Sequence, residues 1–116
     1  MPGQSQADPE PVEYVAVAVV DELPNGTRKF LEVDGAPIAV FNIAGSYYAV
    51  ADLCSHDDGP VAEGNLYGYE IECPRHGARF DVRTGQVVSF PAIVDIPNYP
   101  VKVERGQILV GLPAAR

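Results

Sequence analysis

Apolar and polar positions alternate along most of this chain in short runs, and no stretch keeps the spacing of an amphipathic helix. The run from Tyr14 to Val20 (YVAVAVV) is rich in β-branched residues and has the length of a buried strand. Asn25-Gly26 follows as a hairpin turn, with 27–33 as the returning strand. Asp34-Gly35 turns the chain into a third strand over 36–43, and Ala44-Gly45 into a fourth over 46–50. Strands this close together predict an antiparallel meander, in a sandwich or a barrel.

The pattern resumes further on. A short strand near 64–67 leads to a turn at Gly68. Residues 69–73 (YEIEC) alternate cleanly, with Tyr69, Ile71 and Cys73 on one side and Glu70 and Glu72 on the other. Another strand is expected over 79–82, a turn at Thr84-Gly85, and a Pro-interrupted loop over 89–98. Residues 99–104 alternate with Tyr99, Val101 and Val103 inward, and Arg105-Gly106 turns into a last strand over 107–111. The fold class is therefore all-β. Residues 1–12, with Pro2, Pro9 and Pro11, read as a flexible tail before one domain over 13–116.

Composition narrows the function. The 116 residues suit one compact domain, and the Gly and Pro content (11 each) suits short strands joined by tight turns. A formal charge of −8 speaks against a nucleic-acid partner, which needs a basic footprint. It suits docking onto basic protein surfaces, or simple solubility. No apolar run approaches the roughly 20 residues of a membrane span, and the N-terminus shows no secretory pattern. A cytoplasmic protein is expected, and in that reducing setting cysteines bind metal more often than each other.

The chemistry sits in two short pieces, Cys54-Ser55-His56 and Cys73-Pro74-Arg75-His76. They contain both cysteines and both histidines of the chain, in the order C-x-H, sixteen residues, C-x-x-H. Each loop offers one soft thiolate and one imidazole on a tight bend. Two such loops at the tips of adjacent hairpins can clamp a dinuclear centre from both sides. If each iron takes a like pair, one holds two thiolates and the other two imidazoles. Two other readings stand beside this. A disulfide would leave both histidines unexplained. A tetrahedral zinc site could use the same donors, but the usual finger pattern needs a helix that is not visible here.

The motif and its surroundings, from the first loop through CPRHGARFDVRTG to the final hairpin, resemble the Rieske-type [2Fe–2S] ferredoxins. The resemblance implies an antiparallel Rieske-type sandwich or barrel with a small cluster-binding subdomain, about 51–92, whose two loops sit at hairpin tips. It implies one [2Fe–2S] cluster, with Cys54 and Cys73 on one iron and His56 and His76 on the other through Nδ1. Pro91-Ala92 resembles a third loop capping the cluster. Gly59 and Gly77 are placed where backbone N–H groups could approach the cluster sulfurs, or where an ordinary turn needs them. The tyrosines at 47, 48, 67 and 69 and Phe80 read as packing.

High-potential members of the family carry a disulfide between the two loops and two hydroxyl donors to the cluster. Here no further cysteine exists, and the donor positions are Ala78 and Phe80. Hydrogen bonds to cluster sulfurs raise the potential, so their absence implies the low end of the Rieske range, about −150 mV. The resemblance thus implies a non-enzymatic, monomeric carrier of single electrons. The donor would be an NAD(P)H-dependent flavin reductase and the acceptor a terminal non-haem iron oxygenase for aromatic rings. The alternatives are the small subunit of an assimilatory nitrite reductase and a stand-alone ferredoxin of another pathway.

Overall fold

The computed structural model describes residues 12–55, 59–90, 92 and 94–113. Their strands are, in chain order, β1 (Val12–Val19), β2 (Arg28–Val33), β3 (Ala36–Ile43), β4 (Ser46–Ala51), β5 (Leu66–Tyr67), β6 (Glu70–Glu72), β7 (Arg79–Asp81), β8 (Val87–Ser89), β9 (Asn98–Tyr99), β10 (Val101–Glu104) and β11 (Gln107–Pro113). One 3-10 turn, Val20–Glu22, is the helical exception among the described residues. The strands form three antiparallel sheets, ordered β1-β11-β10, β2-β3-β4-β9 and β5-β6-β7-β8.

The sheet β2-β3-β4-β9 lies between two cores. Along β3, Ile38 and Val40 face one core with Ala18, Leu23, Ile108 and Val110, while Ala39 and Phe41 face the other. This is the period-two rule applied to a strand covered on both faces, which explains the nearly unbroken apolar run APIAVFNI. The second core joins Phe41 and Val50 to Ile71, Phe80 and Val82 of the β5-β6-β7-β8 unit, and both cysteines lie in it. Full burial of a side chain such as Phe41 or Phe80 contributes roughly 1.5–3 kcal/mol.

The tight turns fall where the dipeptides place them. Asp34-Gly35, Ala44-Gly45 and Arg105-Gly106 all take positive φ at both residues, the primed-turn geometry that matches strand twist. The strands they join, β2 to β3, β3 to β4 and β10 to β11, pair as hairpins.

Four expectations are corrected. First, β1 does not return into β2. The 3-10 turn carries the chain away, and β1 pairs with β11, Val12 opposite Pro113. Pro24 to Thr27 closes a turn of its own (Thr27 N–H to Pro24 O, 3.1 Å), and Asn25 Oδ1 accepts from Ala44 N–H at 2.8 Å, so Asn25-Gly26 braces a neighbouring turn. Second, β1 is an edge strand with a bulge between Ala16 and Ala18, mostly exposed apart from Ala18. It begins at Val12, the last residue of the expected tail; residues 1–11 lie outside the described residues. Third, Val87–Ser89 is a strand, β8, pairing with β7 at the start of the expected loop. Fourth, Pro100 divides the run 99–104 into β9 and β10, and Val103 is exposed because the Lys102–Glu104 end of β10 is covered on neither face.

Candidate metal centre

Two loops, one after β4 and one between β6 and β7, carry the predicted donors. The first begins at Asp52, whose N–H reaches back to Pro37 O at 3.0 Å. The Asp52 carboxylate accepts from the N–H groups of Val61 and Ala62 at 2.9 and 2.8 Å, so both ends of the loop converge on one side chain. Arg28 of β2 holds the far end from the opposite side. Its Nη1 donates to Ala62 O at 2.6 Å and to Gly64 O at 2.8 Å. These charge-assisted bonds fix a stretch that has no strand partner of its own. Within the loop, Cys54 N–H donates to Gly59 O at 2.7 Å.

The second loop is tighter. Cys73 follows β6 directly, and its N–H donates to Ala78 O at 2.7 Å. Gly77 N–H closes the bend onto Cys73 O at 3.0 Å, with Gly77 at φ 78°, a conformation that favours glycine. That N–H therefore serves the turn. The loops meet at their bases, where Glu72 N–H donates to Asn65 O at 2.9 Å and Gly64 lies against the Glu72 carbonyl. They meet again nearer their tips, where Arg75 Nη1 donates to Pro60 O at 2.7 Å. A third loop follows β8. Its Ala92 is buried in the same core as the cysteines, and Val94 O accepts from Ser55 Oγ. Pro91 lies outside the described residues.

Charged pairs stiffen the outer face of this unit. Arg79 bridges Glu70 and Glu72 (3.5 Å each) and lies 4.1 Å over the Tyr67 ring. Arg83 lies 4.1 Å over Tyr69 and forms a two-pronged pair with Asp81, its Nη2 2.8 Å from Oδ2. That hydrogen bond to Arg83 holds the Asp81 carboxyl below its usual range. Tyr69 packs edge-on to Tyr48, their centroids 5.8 Å apart. Phe80 is core, and Tyr67 is a surface ring under Arg79.

Of the four predicted donors, the structure places three. Cys54 and Cys73 are buried in one apolar core and are not joined by a disulfide. His76, three residues beyond Cys73, is exposed. His56 lies outside the described residues, as do Asp57 and Asp58. Among the described residues, no three His, Cys, Asp or Glu side chains gather as ligands of a single ion would, a set that lacks His56. The donor set fits a [2Fe–2S] centre in its chemistry: soft thiolates in a dry interior and an imidazole at the surface, on loops held by hydrogen bonds at base and tip. Ala78 and Phe80 are both buried and bring no hydroxyl to the site.

The functional residues that sequence reasoning missed are Arg28, Asp52, Ser55 and, as a link between loops, Arg75. For Asp52, Ser55 and Arg75 the available signal was a polar residue in or beside a ligand loop; Arg28, in β2, offered none. Their partners, up to 39 residues away, had none.

Comparison with known proteins adds to this geometry. A family model described as the Rieske [2Fe-2S] domain matches residues 13–100. The ferredoxin component of the naphthalene 1,2-dioxygenase/salicylate 5-hydroxylase systems of Ralstonia sp is 38% identical over 97 residues, covering 84% of this chain and 93% of that protein. The ferredoxin of carbazole 1,9a-dioxygenase from Nocardioides aromaticivorans IC177 superposes with a TM-score of 0.79 at 38% identity, covering 84% of this chain and 95% of the other. A chain in a solved complex of reduced oxygenase and oxidized ferredoxin in carbazole 1,9a-dioxygenase matches with a TM-score of 0.78 at 35% identity, covering 84% and 91%. These relatives are ferredoxin components, not nitrite reductase subunits, and the zinc reading gives way to the family match.

Proposed function

The chain belongs to the Rieske [2Fe–2S] family, and from that premise we propose that it is a low-potential ferredoxin. It carries single electrons from an NAD(P)H-dependent flavin reductase to the terminal oxygenase of an aromatic-ring dioxygenase system. Cys54 and Cys73 would hold one iron of the cluster, and His56 and His76 the other, through Nδ1. The bound cluster supplies a one-electron couple. The protein itself adds no catalytic group; it works as a monomeric carrier in the cytoplasm, and its cluster-binding unit is the stretch of about 51–92.

The observation that carries this reading is the asymmetry of the donors: both thiols are buried, and His76 is exposed. Replacing two thiolates by neutral imidazoles removes negative charge from one iron, which makes that iron the favoured site of the added electron. An exposed imidazole then brings the redox-active side to the surface, where a docked partner can reach it. The thiolate side stays in a dry core that excludes water. The formal charge of −8 favours association with basic faces on the partners. No helix of the described residues is long and apolar enough to cross a membrane.

The test is reconstitution with the reductase and oxygenase of the same organism. With the holoprotein present, NAD(P)H should reduce the oxygenase and drive substrate oxidation. Without it, turnover should fall to background. Equal turnover with and without this chain would contradict the assignment.

A further inference from the structure

Arg75 stands between Cys73 and His76 in the second loop, and its side chain reaches the first loop. Nη1 donates to Pro60 O at 2.7 Å. Pro60 adjoins Gly59, whose carbonyl accepts the Cys54 N–H at 2.7 Å. A route of covalent and hydrogen bonds therefore runs from Cys73 through Arg75, Pro60 and Gly59 to Cys54. Gly59 also lies flat against the guanidinium. A Cβ built on it would be 2.7 Å from Arg75 Nη2 and 2.8 Å from Cζ, too close for any real contact.

We propose that Arg75 is a positioning residue that clamps the two ligand loops at a fixed separation, and that glycine at 59 is required because the clamp occupies the space of a side chain. This rests on the reading of the two loops as holders of the iron–sulfur centre. At the bases of the loops, the Glu72 to Asn65 bond and the Gly64 contact already hold the backbone. Nearer the tips the structure uses a cation. A guanidinium suits this position because it is planar, permanently charged and rich in donors. A charge-assisted bond of this kind is about twice as strong as a neutral one. Its effect is on the lifetime of the loaded site, because opening either loop exposes the sulfur ligands.

The clamp separates from simple electrostatics through Gly59. Gly59→Ala keeps the positive charge of Arg75 but pushes the guanidinium off Pro60. The clash is with the end of a flexible side chain, which can give way where a backbone atom could not. Arg75→Ala removes both clamp and charge. The experiment follows the visible absorption of four holoproteins in excess EDTA: wild type, Gly59→Ala, Arg75→Ala and the double variant. Reduction potentials are recorded in parallel. Each single variant should lose its cluster about tenfold faster than wild type, and the double variant should match Arg75→Ala alone. The potential should fall for Arg75→Ala and stay near wild type for Gly59→Ala. Wild-type cluster lifetime in Gly59→Ala, or effects that multiply in the double variant, would overturn the clamp. A wild-type protein that binds no iron and sulfide would instead overturn the reading on which the clamp rests.

Discussion

Cys54→Ala protein should be purified colourless, without the visible absorption of an iron–sulfur centre. Cys54 is fully buried, and its thiol faces the core it shares with Cys73. No third thiol stands in reserve, because the chain has two cysteines in all. Three donors then remain for two irons, and a buried methyl group replaces the thiolate. Metal binding and folding are linked, so the variant should also unfold at lower temperature than the wild-type holoprotein. His76→Cys should behave differently. Its side chain is exposed and a thiolate is still a ligand, so a centre is retained or distorted. The added negative charge disfavours reduction and moves the potential toward the roughly −400 mV of four-cysteine plant-type ferredoxins. Native absorption retained in Cys54→Ala would contradict the ligand assignment.

Gly64→Ala should be severely damaging although it touches no ligand. A Cβ at this position would lie 1.6 Å from the Glu72 carbonyl oxygen and 2.9 Å from its carbon. Those are backbone atoms of β6, one residue before Cys73, so they cannot swing aside. Arg28 holds the Gly64 carbonyl at 2.8 Å and Glu72 N–H holds Asn65 O at 2.9 Å, so the two segments cannot part without losing these bonds. The cost should be about 3 kcal/mol or more, with the second loop displaced and the cluster poorly retained. Gly68→Ala is the matched control. Gly68 sits at φ 62° with nothing near its missing Cβ, so alanine there costs only the conformational strain, about 1–2 kcal/mol. Urea denaturation of both variants, read beside the visible spectrum, gives the comparison. Equal midpoints for the two would contradict the packing argument.

The parts of this molecule that local chemistry determines were legible in its sequence. Asp34-Gly35, Ala44-Gly45 and Arg105-Gly106 announce hairpins because positive φ at consecutive residues selects such dipeptides. β3 was readable to the residue, since a strand covered on both faces shows an unbroken apolar run. The candidate donors stand out because thiol and imidazole are rare here, two of each, and fall in two short pieces. What failed depended on distant partners. Nothing in Tyr14–Val20 states that its mate is β11 at the far end of the chain. Val103 follows the alternation of an inward residue, yet the end of β10 is covered on neither face. β8 is three residues long and is followed in sequence by Phe90 and Pro91, which look like loop. Arg75 and Arg28 announce only a charge; their reach to Pro60, Ala62 and Gly64 exists once the loops are folded.

The proposed low potential is where cofactor, missing donors and physiological role meet. Ala78 and Phe80 are buried beside the second loop without a hydroxyl, and no disulfide joins the loops. The direct measurement is a potentiometric titration of the holoprotein followed by the EPR signal of the reduced centre. A one-electron Nernst curve of about 59 mV per tenfold ratio is expected, with a midpoint near the low end of the Rieske range, about −150 mV. A midpoint above about +100 mV would contradict the account.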